Sequence, residues 1–166
     1  MIIKKARTKT EIEDVCRLSR EYEAFLDVDL CFQNFEEELA GLPGKYAPPD
    51  GDLLIGLDGE KTVGCVAVRK LGDGVCEMKR LFVRPRARGT GLGRQLAHEI
   101  ILVGVELGYS LMRLDTLDRL KEAMHLYEKL GFRKTEPYYD NPLQGVVYWE
   151  LELREKMELG VAQVTK

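Results

Sequence analysis

The most informative stretch of this sequence runs from Lys79 to Leu96 and reads Lys-Arg-Leu-Phe-Val-Arg-Pro-Arg-Ala-Arg-Gly-Thr-Gly-Leu-Gly-Arg-Gln-Leu. Three β-forming residues, 81–83, come just before Pro85, which has no N–H to donate to a sheet. Glycines follow at positions 89, 91 and 93, and a long amphipathic helix begins among them. No Asp or Glu occurs between Glu77 and Glu99, whereas six basic residues do: Lys79, Arg80, Arg84, Arg86, Arg88 and Arg94. A strand, a glycine-rich turn and a helix N-terminus in acid-free surroundings predict an anion-binding site.

Two common phosphate-binding loops do not match this stretch. A Walker loop requires Lys followed by Ser or Thr after its last glycine, and no such pair is present. A dinucleotide fingerprint that starts at Gly89 or Gly91 would need Gly or Ala where Leu92 or Arg94 stands. The spacing that remains is Arg88-Gly-x-Gly-x-Gly93.

Composition limits the class of protein. The chain has 166 residues, 45% of them hydrophobic and 32% charged, which is typical of one soluble globular domain. The formal net charge of −3 argues against a general nucleic-acid binder. Four widely spaced cysteines and two histidines form no zinc pattern, so we expect neither a metal nor a disulfide framework. The N-terminus lacks a signal-peptide pattern and no apolar run reaches membrane-spanning length, so we expect a cytoplasmic protein.

Hydrophobic periodicity and turn residues predict eleven elements along the chain. The first helix is expected to start with a capping box of Thr10 and Glu13, and Asn34 is expected to cap the second. That second helix is expected to expose Glu36, Glu37 and Glu38. Asp58-Gly59 predicts a type I′ hairpin turn. The predicted strands are 2–7, 53–57, 62–69, 75–83, 111–115, 132–135 and 146–153. Three predicted helices begin at residues 10, 34 and 92, and a fourth spans about 118–130.

Two motifs in this order of elements resemble the GCN5-related N-acetyltransferases, the GNAT superfamily. One is the glycine loop at 88–93, and the other is Ala123-x-x-x-Tyr127-x-x-x-Gly131-Phe132. The resemblance implies an α/β fold with a mixed, mostly antiparallel sheet of six to seven strands, about four helices and a central splayed parallel pair. It covers residues 1–153 as a single domain and leaves 154–166 as a tail. One departure is Leu120, where the family often has Asn.

The resemblance also implies acetyl-CoA as co-substrate. The pantetheine arm would use backbone groups near Phe82 and Val83, and Arg84, Arg86 or Arg88 would meet the nucleotide phosphates. The pyrophosphate would lie on the backbone N–H groups of Arg88, Gly89, Thr90, Gly91, Leu92, Gly93 and Arg94.

Two residues are predicted to carry the chemistry. Tyr127 matches the family tyrosine that donates a proton to the departing thiolate, and the competing interpretation is a core aromatic. Glu77, six residues before Val83 and expected on the same strand face, matches a position from which some relatives use a glutamate base. The competing interpretations of Glu77 are a solvent-facing carboxylate or an ion pair with Lys79 or Arg80. Many relatives use a water chain instead.

The expected acceptor is a primary amine of a small molecule, held by Tyr22, Tyr138 and Tyr139, with acetyl transferred directly in a ternary complex. Aromatic faces and nearby carboxylates both favour a cation. Two alternatives stay open: a non-catalytic CoA-binding regulatory module, and an acyltransferase that uses another acyl thioester. A homodimer is compatible with the sequence, whereas nucleic-acid and membrane partners are not expected.

Overall fold

The computed structural model describes residues 1–31 and 34–153, and the predicted tail at 154–166 lies outside these described residues. Each predicted element is present in the described residues, with boundaries moved by up to three residues. The strands are β1 Ile2–Lys5, β2 Asp52–Asp58, β3 Lys61–Gly72, β4 Val75–Val83, β5 Leu111–Leu117, β6 Arg133–Thr135 and β7 Val146–Glu152. The helices are α1 Lys9–Leu26, α2 Phe35–Ala40, α3 Leu92–Glu106 and α4 Lys121–Leu130.

Within the described residues the strands form one seven-stranded sheet in the order β1-β2-β3-β4-β5-β7-β6. Neighbouring strands are antiparallel except β4 and β5, which α3 joins as a parallel crossover. Their pairing begins at Val75 and Leu111 and ends at Glu77 and Arg113, although β4 continues to Val83. The two strands therefore part over their C-terminal halves, which confirms the predicted splayed parallel pair and the mixed sheet.

A β-bulge at Arg80 changes which β4 residues share a face. Cys65 of β3 pairs with Phe82 and Ala67 pairs with Lys79, so β4 has one extra residue in this interval. Arg80 adopts a left-handed conformation with φ 59°. Because the extra residue shifts the alternation, Phe82 lies on the face of Glu77 and Val83 lies on the other. The prediction that Glu77 and Val83 share a face is therefore wrong.

Helices cover both faces of the sheet. α3 packs its apolar stripe onto one face, and Leu92, Leu96 and Ile100 are all buried there, as predicted from their helical spacing. The same cluster includes Trp149 and Tyr127. On the other face, α1 packs its buried side chains against β2, β3 and Phe82, so the C-terminal half of β4 lies between two layers of helices.

Three local predictions need correction. The chain contains the pattern Thr-x-x-Glu twice, and α1 uses the earlier copy: Thr8 caps the helix, with Glu11 accepting from the Thr8 N–H at 3.0 Å. Asn34 precedes α2 without a side-chain capping bond. Asp58 pairs with Lys61, so the hairpin loop is Gly59-Glu60. Only Gly59 of that loop has a positive φ, which fits a type II′ turn and excludes type I′.

α2 does not expose all three of its glutamates. Glu38 faces inward, where Oε2 lies 2.6 Å from Nη2 of Arg80 and Oε1 accepts a hydrogen bond from Tyr46 at 2.6 Å. Burial alone would raise the pKa of Glu38, but the Arg80 charge and these hydrogen bonds hold it below its ordinary value. The second helix is thus attached to the bulge of β4 by an ion pair.

Candidate active site

A cleft of about 600 Å³ opens between the end of β4, the start of α3 and the start of α4. The structure brings eight of the nine predicted cofactor-binding residues to its walls: Phe82, Val83, Arg88, Gly89, Gly91, Leu92, Gly93 and Arg94. The ninth, Thr90, is not in the lining, and its hydroxyl instead donates to the Ala87 carbonyl at 2.7 Å. Phe25, Arg119 and Lys121 also line the cleft. Arg119 and Lys121 were not predicted, because no local pattern marks them.

The glycine loop leaves open space beside the backbone. Gly89 and Gly91 have φ values of 77° and 85°, and a Cβ added at either would meet no atom within 4 Å. Gly91 precedes the first turn of α3 without a side-chain capping bond. The N-terminal N–H groups of α3 are therefore not covered by a cap, and the helix dipole adds positive potential there. This site fits a pyrophosphate.

The arginines near the loop have different partners. Arg88 donates from Nε to the Val83 carbonyl at 3.0 Å, and its guanidinium carbon lies 4.4 Å from the ring centroid of Phe25. Arg84 forms an ion pair with Glu21 at 2.7 Å and is not in the cleft lining. Of the three arginines considered for the nucleotide phosphates, Arg88 is therefore the one that lines the cleft.

A second cavity, of about 60 Å³, adjoins the cleft and shares part of its lining. Lys79, Arg80 and Asp115 contribute its charged side chains, and Asn141 contributes an amide. Five residues line both cavities: Tyr22, Leu81, Thr116, Leu120 and Tyr127. The small cavity and the cofactor cleft therefore meet where β4 and β5 part, because Leu81 of β4 and Thr116 of β5 line both.

Tyr127 combines both sequence interpretations. Its ring is in the core, 5.7 Å from Phe132 and 6.2 Å from Trp149 between centroids, and only 7% of the residue is exposed. It also lines both cavities, and its hydroxyl makes no hydrogen bond to any described residue. Burial, with smaller contributions from Tyr22 and Asp115, raises the pKa of Tyr127 above its ordinary value. The hydroxyl is therefore protonated at neutral pH.

Glu77 lies one layer behind the small cavity and is not in its lining. It is 1% exposed, which excludes the solvent-facing interpretation. Oε1 accepts two hydrogen bonds from Arg69, at 2.9 and 3.0 Å, and Oε2 accepts one from the Tyr138 hydroxyl at 2.6 Å. Nζ of Lys79 is 3.9 Å from Oε1. Of the two cations considered for an ion pair with Glu77, Lys79 lies near it at longer range, and the main partner is Arg69.

The three predicted acceptor tyrosines have different positions. Tyr22 lines both cavities, and burial together with the Asp115 charge raises its pKa to about 12. Tyr138 and Tyr139 are behind the lining, with their hydroxyls donating to Glu77 and Asp115, respectively. Their ring centroids are 5.3 Å apart, so the two side chains form one wall.

Burial in this region also affects Lys79. Removal from water lowers the pKa of Lys79 below its ordinary value, although the charges of Glu77 and Asp115 oppose that shift. Lys79 and Asp115 thus line the small cavity, and Glu77 lies behind it.

Comparison with known proteins agrees with this geometry. The profile described as the acetyltransferase (GNAT) family matches residues 12–132. The chain is 50% identical over 145 residues to an uncharacterised N-acetyltransferase of Schizosaccharomyces pombe, a match that covers 86% of this chain and 89% of the relative.

Solved structures share the fold. A GNAT-family acetyltransferase of Staphylococcus aureus superposes with a TM-score of 0.76 at 18% identity, covering 92% of this chain and 99% of that one. An acetyltransferase of Salmonella typhimurium, solved with acetyl-CoA, superposes with a TM-score of 0.68 at 18% identity over 92% of this chain and 93% of that one.

A splayed β4–β5 pair beside an uncapped glycine-loop helix defines an acyl-CoA acyltransferase fold. The chain belongs to the GNAT family of acetyltransferases. The sequence motifs predicted this family, and two relatives over most of the chain are named N-acetyltransferases. Among the described residues, no helix is both long and apolar enough to cross a membrane.

Proposed function

We propose that this protein transfers the acetyl group of acetyl-CoA to the primary amine of a small molecule while both substrates are bound. The observation that supports this most is the meeting of two cavities at Tyr127. A thioester reaching through the splayed strands from the larger cleft would face the small cavity. Holding two reactants at one junction removes much of the entropic barrier to their reaction.

The chain's own groups fit the co-substrate. The α3 N-terminus and the left-handed Gly89 and Gly91 would hold the pyrophosphate, with Arg88 beside it. The backbone of Phe82 and Val83 has no β5 partner beyond Glu77 and can bind pantetheine amides. Bound acetyl-CoA supplies the acetyl thioester that the amine attacks.

Tyr127 is proposed as the acid. In the overall reaction an ammonium and a thioester become an amide, a thiol and one free proton, so the nitrogen loses two protons. One of these ends on sulfur. Tyr127 donates its proton to the departing sulfur and regains one from the nitrogen, which a hydroxyl with a raised pKa at the junction can do.

The other proton needs an acceptor, and we propose Glu77 for this role. Its carboxylate is behind the cavity wall and accepts from the Tyr138 hydroxyl. The proposed path therefore runs through Tyr138, or through water that Glu77 orients, rather than by direct contact. Arg69 stabilises the ionised carboxylate in this buried position.

The small cavity favours a compact or slender amine. About 60 Å³ holds the reacting end of an acceptor and little more. Relatives named for small amines support this substrate class. One is the bovine thialysine N-ε-acetyltransferase, 37% identical over 54 residues. We propose that Tyr22 contacts the amine directly and that Tyr138 and Tyr139 shape the cavity from behind.

The test compares thialysine, spermidine, ethanolamine and tyramine with an unstructured basic peptide, each at equal concentration, by the rate of CoA release. We expect at least one small amine to react faster than the peptide, and Tyr138→Ala to lower that rate. The peptide outperforming every small amine, with Tyr138→Ala without effect, would remove the small-molecule proposal. If the protein binds CoA tightly but releases no CoA from acetyl-CoA with any acceptor, the non-catalytic module would be favoured.

A further inference from the structure

We infer that Asp115 binds the ammonium group of the acceptor and thereby selects cationic amines. This assignment rests on the proposed function for the location of the acceptor. It concerns a residue that the sequence motifs do not mark and that lines the small cavity.

Asp115 supplies the one carboxylate among the described residues that line this cavity. It stands on β5 two residues beyond Arg113, where pairing with β4 has ended. The strands have parted at this point, so the side chain lies beside the gap that connects the two cavities. Thr116, the next residue, lines both of them.

The carboxylate is anchored through one oxygen. Oδ2 of Asp115 accepts hydrogen bonds from the Tyr139 hydroxyl and from Nδ2 of Asn141, the latter at 3.3 Å. Asn141 is in turn held by the Leu143 N–H, which donates to Oδ1 at 2.9 Å. Oδ1 of Asp115 accepts no hydrogen bond from the described residues. One oxygen therefore fixes the orientation and the other is available to a ligand.

The charge of Asp115 is not used in an ion pair with any described Lys or Arg side chain. The two cations of the same lining have other carboxylate partners: Arg80 lies 2.6 Å from Glu38, and Lys79 lies 3.9 Å from Glu77. Lys79 feels the charge of Asp115, but no described Lys or Arg nitrogen lies within 4 Å of this carboxylate. A carboxylate in a confined cavity attracts a cation strongly, because the dielectric screening there is weak. An ammonium entering the cavity is a suitable partner.

A contact with Asp115 would reduce the free-energy cost of moving an ammonium from water into the cavity. An ammonium that leaves water without an anionic partner loses its hydration at a large free-energy cost. Asp115 offsets that cost and directs the nitrogen to the junction at Tyr127. Glu77 does not line the cavity and cannot make the same contact. The two carboxylates thus have separate roles: Asp115 binds the nitrogen and Glu77 receives its proton.

The test uses Asp115→Asn, which keeps the shape and removes the charge. Thialysine, spermidine, ethanolamine and tyramine are titrated calorimetrically into protein saturated with CoA, and their KM values are measured with acetyl-CoA. We expect affinity to fall and KM for the amine to rise at least about tenfold, with KM for acetyl-CoA unchanged. Asp118→Asn, three residues away and outside both linings, is the matched control and should leave both amine parameters unchanged.

Tyr139→Phe provides a second variant in case Asp115→Asn does not fold. It removes one bond that orients Asp115, and we expect a smaller rise in the amine KM without a change for acetyl-CoA. If Asp115→Asn folds and its amine KM is unchanged, the inference is overturned. If only Tyr139→Phe folds, an unchanged amine KM in that variant overturns it. Either result leaves the transferase proposal intact. Binding without turnover, with affinity lost in Asp115→Asn, would support the inference and remove the transferase proposal. Wild type binding none of the four amines would overturn the inference.

Discussion

Tyr127→Phe tests the proposed acid with little disturbance of the fold. The substitution keeps the ring, with its contacts to Phe132 and Trp149, and deletes only the hydroxyl. Because that hydroxyl makes no hydrogen bond to the described residues, its removal breaks none of their contacts. We expect the free energy of unfolding to change by less than about 0.5 kcal/mol.

The expected loss is in the chemical step. A positioned acid contributes roughly 10²- to 10⁴-fold, and thiolate is a fair leaving group even without protonation. We therefore expect kcat to fall by about 10- to 1,000-fold, which corresponds to about 1.4–4 kcal/mol in the barrier. KM for acetyl-CoA should change little, because the glycine loop holds the nucleotide end.

The assay is CoA release from acetyl-CoA with the best small amine, detected with a thiol reagent. Tyr109→Phe is the control: it deletes the hydroxyl of a tyrosine that donates to the Asp50 carbonyl far from both cavities. Its kcat should equal that of the wild type. An unchanged kcat in a folded Tyr127→Phe would refute the acid role and leave only the core aromatic.

Three further predictions concern the loop, the base and the buried ion pair. Gly91→Val should weaken acetyl-CoA binding about tenfold, near 1.4 kcal/mol, because a side chain would occupy the open space where phosphate approaches. Gly59→Val is the control for backbone strain, because Gly59 also has a left-handed φ and equally open surroundings. Calorimetry that shows equal acetyl-CoA affinity in both variants and the wild type would remove the loop assignment. Glu77→Gln should lower kcat/KM and abolish the rise of the profile from acidic pH, and Tyr138→Phe should share part of the loss; profiles superimposable on the wild type would end the assignment. Glu38→Gln should cost about 1.5–3 kcal/mol of stability at pH 7, measured by denaturant unfolding. Since the folded-state pKa of Glu38 is lowered, its stabilisation is present above its unfolded pKa of about 4.3 and is lost as pH falls through the lower folded value. A wild-type to variant gap that persists unchanged at pH 3 would contradict that role.

The fold could be predicted because its signals are local. The α3 stripe of Leu92, Leu96 and Ile100 and the residues 81–83 before Pro85 each involve one element and its period. Glycines at 89, 91 and 93 specify the anion site in the same local way. The order of these elements then leaves few topologies, because crossover connections are right-handed and short.

The bulge at Arg80 shows where such reasoning fails. An arginine in the left-handed region has no sequence signature, since Gly, Asn and Asp are the residues that favour it. One extra residue moved Val83 to the opposite face from Glu77. The hairpin register matters in a similar way: Arg69 of β3 pairs with Glu77, and a register shifted by one residue would place Val68 there instead. A shift of one residue therefore decided the partner of a buried carboxylate.

The acceptor side could be predicted only in part, because separate segments build it. Tyr22 was predicted from α1, and Tyr138 and Tyr139 from their Pro-bounded loop. Asp115 gained significance only when the parting of β4 and β5 placed it on the small cavity. No sequence motif marks Asp115, because β5 also contains the polar residues Arg113 and Thr116.

The most direct test of the central claim is the initial-velocity pattern with acetyl-CoA and a small amine varied together. If both substrates meet at Tyr127 in one complex, double-reciprocal plots should intersect, and the product should be the singly acetylated amine. Parallel lines, together with an acetylated enzyme isolated without amine, would contradict direct transfer across this junction.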